Sequence, residues 1–144
     1  KKLEKVREDI LDVYNGSEGW IKVPTSKDAA IYLGQNTRWC TSGVANNMFD
    51  HYNKSDSLFV VFDKKSKKRF QLHINSGQFA DATDKNQGID AIPEWAREPI
   101  LEWYKKNSKV GLKHALTFHK LGLDAGKDTE HADLLDMMKQ YGVL

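Results

Sequence analysis

At 144 residues, with 40% hydrophobic and 29% charged side chains, the chain has the size and composition of one ordinary globular domain and lies outside the disordered class. Its 22 basic and 20 acidic residues leave a formal charge of +2, so nucleic-acid binding cannot rest on bulk electrostatics and needs a local patch. The single cysteine, Cys40, excludes an internal disulfide and points to a reducing, cytosolic setting; no apolar run reaches the ~20 residues of a membrane span and no signal-peptide pattern opens the chain.

Leu3, Val6, Ile10, Val13 and Tyr14 recur at helical spacing, which predicts an opening amphipathic helix ended by Asn15-Gly16-Ser17. Trp20 to Val23 reads as a short strand closed by Pro24, and Ser26 is placed to cap a brief helix through Ala29, Ala30 and Leu33 that stops at Gly34. Gln35 to Ser42 is polar and aromatic without a period, an ordered loop, before a helix from Val44 to Tyr52 with Val44, Met48 and Tyr52 on one face.

Leu58 to Asp63 has strand character, and Lys64-Lys65-Ser66-Lys67-Lys68 forms a charged turn. Arg69 to Asn75 alternates, with Phe70, Leu72 and Ile74 on one face and Gln71 and His73 on the other. Asn75-Ser76-Gly77 makes a hairpin turn into a third strand, Gln78 to Ala82. The remainder is helical. Pro93 opens a helix striped by Ile92, Ala96, Ile100 and Trp103, which Pro99 should kink or split. Leu112 to Leu121 forms a second helix ended by Gly122, and Asp128 caps a third with Leu134, Leu135, Met138 and Tyr141. The fold class is therefore α+β: a small antiparallel meander of three or more strands packed with N-terminal and C-terminal helices. Residues 1–144 read as one domain, with a motif-bearing core at 20–85 and a helical part at 92–144.

Chemistry concentrates in the middle. Cys40, His73 and Asp81 stand in the order of a thiol nucleophile, a base to deprotonate it and an acid to orient the ring. Gln71, on the face of His73, is a candidate oxyanion donor. The bland alternative is a buried thiol and a cross-strand His–Asp pair. Thr37, Trp39, Thr41, Tyr52 and Gln71, with His73 and Asp81, also form a candidate ligand pocket: Trp39 could stack on a flat ligand while the polar groups orient it, unless that face simply meets water or a helix. The run Lys64, Lys65, Lys67, Lys68 and Arg69 could hold phosphates or could be a solvated turn. His114, His119 and His131 match no metal spacing, and Gly34, Gly43, Gly77 and Gly88 are too isolated for a phosphate loop, so no metal or cofactor is expected.

Val23-Pro24-Thr25, Gly34 to Thr41, Asn47 to Tyr52, Phe70-Gln71-Leu72-His73 and Gln78-Phe79-Ala80-Asp81 resemble a group of bacteriophage and prophage proteins of unassigned activity. That group carries a G-x-x-T-x-W-C-T box, a downstream tyrosine and a Q-x-H…Q-F-x-D box. The resemblance spans residues 20–85 and departs at Arg38 and Phe70, where Lys and Tyr are expected. It implies a phage-encoded protein of the host cytoplasm and places Trp39, Cys40, Thr41, Gln71, His73 and Asp81 in its boxes. Three functions stay open at this point. One is a polar pocket that performs thiol-dependent acyl transfer or hydrolysis, acting on a small molecule or peptide. Another is a non-enzymatic effector that binds and inhibits a host protein. The third is nucleic-acid binding through the basic turn.

Overall fold

The computed structural model describes residues 3–39, 41, 43, 47–83, 85–108, 110–123, 139–140 and 142. Six antiparallel strands follow one another across the sheet in chain order. They are β1 (Ile10–Asn15), β2 (Gly19–Pro24), β3 (Leu58–Asp63), β4 (Lys68–His73), β5 (Gln78–Asp81) and β6 (Asn86–Gln87). Helices α1 (Leu3–Val6), α2 (Lys27–Leu33) and α3 (Phe49–Ser55) precede β3, whereas α4 (Glu94–Asn107) and α5 (Leu112–Lys120) follow the sheet. The α+β expectation holds, with a wider meander than the three strands legible in the middle of the chain.

Strict alternation gives the sheet two buried faces. Ile21, Val23, Phe59, Val61, Leu72 and Phe79 meet Ala96, Ile100 and Tyr104 of α4 and Ala115 and Phe118 of α5. Leu58 packs with Ala30 and Phe49 on the opposite face, where Val60 packs with Leu33 and Trp39. Because α4 and α5 share one core with the strands, the stretch after Asn107 does not pack as a separate unit among the described residues.

The opening helix is a correction. Helix α1 stops at Val6, and Ile10 to Asn15 pairs with β2 as an edge strand. The same apolar residues that recur at helical spacing also suit a strand, because a shift in register between Asp12 and Tyr14 lets Val13 and Tyr14 both pack toward the core. The Asn15-Gly16-Ser17 stretch is accordingly a hairpin turn. Ser26 caps α2 as expected, its Oγ accepting from Ala29 N at 3.1 Å. Helix α3 begins at Phe49, later than expected; residues 44–46 lie outside the described residues, and Met48 sits at its N-cap. Pro99 does not split α4. The helix loses the bond that residue 99 would donate, but the buried stripe of Ala96, Ile100, Leu101 and Tyr104 packs on both sides of it. The helix expected from Asp128 also lies outside the described residues, apart from short fragments near its end.

Candidate functional site

Strand register decides which of the sequence candidates meet. Leu58 pairs with His73 and Val60 with Gln71 on one side of β4, while His73 pairs with Gln78 and Phe70 with Asp81 on the other. Asp81 therefore lies three rungs, ~10 Å, along the ladder from His73 and projects to the opposite face, because an odd offset reverses a strand side chain. The pairing of His73 with Asp81 is corrected: Asp81 does not orient that imidazole. Its Oδ1 instead accepts from Thr83 N at 2.9 Å, Thr83 Oγ1 at 2.7 Å and Lys85 N at 3.2 Å, closing the turn between β5 and β6. The Thr83 hydroxyl foremost, with the two backbone N–H groups, holds this carboxyl below its ordinary pKa.

His73 is 3% exposed. The Tyr52 carbonyl, 3.1 Å from Nε2, can only accept, so the neutral ring carries its proton there and Nδ1 accepts from the Ser76 hydroxyl at 2.7 Å. Burial, the largest influence, pushes its pKa below the usual histidine value and favours this neutral form. Tyr52 also meets the ring edge-on, at 5.2 Å between centroids. Cys40, the expected nucleophile, lies outside the described residues.

The loop carrying Trp39 and Thr41 does fold over the Gln71 face of the hairpin. Trp39 and Thr41 are buried; Trp39 Nε1 donates to the Asp81 carbonyl at 2.7 Å, and Gln71 Nε2 donates to the Thr41 hydroxyl at 2.8 Å. Arg38 N donates to the Ala82 carbonyl at 2.8 Å. These polar groups fasten the loop to the sheet, so hydrogen bonding to one another is what the residues read as pocket lining do here. Gln71, read as an oxyanion donor, gives an amide N–H to Thr41.

The cavity beside them has a different lining. Pairing of β4 with β5 begins at Phe70, so Lys68 and Arg69 extend beyond the end of the shorter strand. A cleft of about 470 Å³ occupies that notch. Lys67, Lys68, Arg69 and Phe70 line it with Phe62 of β3, and so do Gln35, Asn36 and Thr37 of the loop and Asp81 to Thr83 at the end of β5. Phe62 and Phe70 belong to opposite faces of the sheet, since Phe62 pairs with Arg69. Both reach the cleft because it lies where the sheet ends. Of the predicted pocket residues, Thr37 and Asp81 border it.

The basic run divides its work. Lys64 Nζ donates to the Gly16 carbonyl at 2.9 Å and ties the two hairpin turns together. Arg69, half-buried, donates through Nη1 to the carbonyls of Leu33 at 2.9 Å and Gln35 at 3.2 Å and lies 5.8 Å from the centre of the Trp20 ring. It thus holds one wall of the cleft and supplies fixed positive charge, since a guanidinium stays protonated even where burial lowers its pKa. Lys67 and Lys68 are exposed at the rim. The acidic residue of the lining, Asp81, turns one oxygen toward Thr83 and Lys85.

A second, smaller cleft of about 310 Å³ lies at the far end of β3 and is lined by Asp56, Tyr104 and His114 among others. Three of its polar side chains bond within the protein. Asp56 accepts from Ser57 N and Asn75 N, the Tyr104 hydroxyl bonds to the same carboxylate, and His114 reaches Asn75 Oδ1 at 3.1 Å. His114 Nδ1 also accepts from Gly111 N at 3.0 Å at the start of α5.

Sequence reasoning missed Gln35, Asn36, Phe62, Phe70 and Thr83 as cleft residues. Phe62 read only as strand, and nothing local signals that β5 is too short to cover the end of β4. Among the described residues, no three His, Cys, Asp or Glu side chains gather as a metal set, and no helix is long and apolar enough to cross a membrane. Comparison with protein-family models, curated proteins and solved structures returned no match for this chain.

Proposed function

We propose that the protein binds a phosphate-bearing ligand in the notch at the end of β4. The observation that carries this reading is the convergence of Lys67, Lys68 and Arg69 with the Asn36 amide on one cleft of about 470 Å³, a volume within the usual range of ligand sites. Cations bind phosphate through charge-assisted hydrogen bonds, and a neutral amide helps to fix its orientation. The small net charge of +2 is no obstacle, since the field of a local cluster acts within about 8–10 Å at physiological salt.

Backbone geometry supports the same place. Asn36 and Lys67 are the non-glycine residues with positive φ among those described, at 65° and 61°; asparagine adopts this region readily, so it is Lys67, also in the lining, that counts here. Sparsely populated backbone conformations gather at functional sites more than elsewhere. The thiol-dependent reading has less support, because His73 is buried with both ring nitrogens bonded and Asp81 lies on the other face.

Calorimetric titration with pyrophosphate tests the proposal. Saturable binding that weakens as salt rises, and a loss of roughly tenfold or more in the Lys67→Ala/Lys68→Ala double variant, are expected. No saturable binding by the folded protein, or equal affinity in the double variant, would overturn it. Both lysines are exposed, so the double variant should fold normally.

A further inference from the structure

We infer that the ligand of this cleft is a nucleotide, with its phosphates on Lys67 and Lys68 and its base against the Phe62 ring; the inference rests on the phosphate reading above. Cations alone would suit any anion. This cleft adds two aromatic walls, Phe62 and Phe70, next to the cations at Lys67, Lys68 and Arg69. A ligand that uses both kinds of surface carries negative charge at one end and a flat, weakly polar ring at the other.

The rings are also fixed in place. Phe62 stacks on Trp20, with centroids 5.6 Å apart and planes 26° apart, and Phe70 stacks on Phe79 at 4.9 Å and 20°. Trp20 is itself braced by Lys22, whose Nζ lies 4.8 Å from the ring centre. Neither phenyl is fully buried, while Phe79 behind Phe70 is 0% exposed. A braced ring loses little freedom when a base stacks on it, so more of the contact energy appears as affinity. The amide group of Asn36 lines the same cleft and carries both donors and an acceptor, which suits the edge of a base.

Free nucleotides and nucleotide units of a single strand share this chemistry, and the test separates them. Adenosine diphosphate, pyrophosphate and a short single-stranded oligonucleotide are titrated into the intact chain. Adenosine diphosphate is expected to bind roughly tenfold or more tighter than pyrophosphate, because base–aromatic stacking contributes on that scale. The ratio of the two affinities should shrink toward one in Phe62→Leu. An oligonucleotide that outcompetes the diphosphate assigns a strand as the natural ligand; the reverse order assigns the free nucleotide.

Should Phe62→Leu fail to fold, ring-proton shifts of Phe62 in the unaltered protein give the same answer, moving with adenosine diphosphate and not with pyrophosphate. Equal affinity for the two probes, with ring resonances unmoved, would overturn the nucleotide inference and leave phosphate binding intact. Failure of both probes to bind would instead remove the phosphate reading on which it rests.

Discussion

Lys67 shows at a single residue how stability and binding oppose one another. It sits at φ 61° in the turn before β4, a left-handed conformation that costs an L-residue about 1–2 kcal/mol and costs glycine almost nothing. Glycine gives back part of that difference through greater freedom in the unfolded chain, roughly 0.5–1 kcal/mol. Lys67→Gly is therefore expected to raise stability by about 0.5 kcal/mol in a denaturant titration while weakening pyrophosphate binding. A gain in stability with no loss of affinity would mean that the lysine serves the turn and not the ligand. Asn36, at φ 65°, has a cheaper explanation, since asparagine tolerates this region well.

Among the elements, β5 is the one that creates the site, because it covers β4 only from Phe70 onward. The opposite need governs the junction of β2 and β3, where close approach is required. A Cβ built on Gly19 would overlap the Phe62 carbonyl and press on the Trp95 ring, whose Nε1 donates to Asp63 at 2.9 Å. Gly19→Ala should destabilise the protein by about 1–3 kcal/mol through overpacking, measured as a lower denaturation midpoint. Because Phe62 lines the cleft, the same variant should also weaken ligand binding. The loop from Gln35 to Thr41 is held from both sides, by Arg69 at its start and by the bonds of Trp39 and Thr41 to the sheet. That double fastening turns an aperiodic segment into a wall.

At the scale of the whole molecule, two histidines join the helical layers to the sheet. His73 faces α3 through the Tyr52 carbonyl, and His114 of α5 reaches Asn75 beyond the end of β4. Burial, foremost in each case, depresses both pKa values; the Asp56 carboxylate opposes that shift and Lys113 adds to it. The unfolded chain therefore binds protons that the folded chain does not. The stability these neutral rings contribute is complete above the unfolded value of about 6.5 and falls as pH drops below it toward the depressed folded values. Melting temperature should decline between pH 7 and pH 5 with a slope of at most about two protons, and His114→Gln should flatten that slope. An unchanged slope in that variant would place the proton uptake elsewhere.

The residue pattern was enough to locate β2 through β5 and α2, α4 and α5, because alternation, the Ser26 cap and Gly122 at φ 76° act over a few neighbours. It also put Gln71 and His73 on the same face of the hairpin, since side-chain direction follows from strand parity alone, but the same reading wrongly put Asp81 there. It misjudged residues 10–15, whose apolar spacing suits a helix or a bulged strand, and only pairing with β2 chose between them. It also could not say that Thr41 and Gln71 would bond to one another, or that Asp81 would fall three rungs from His73. The cleft depends on where one strand stops beside its longer neighbour. Such a distance is set by turn closure and packing across the sheet, and no local stretch of sequence encodes it.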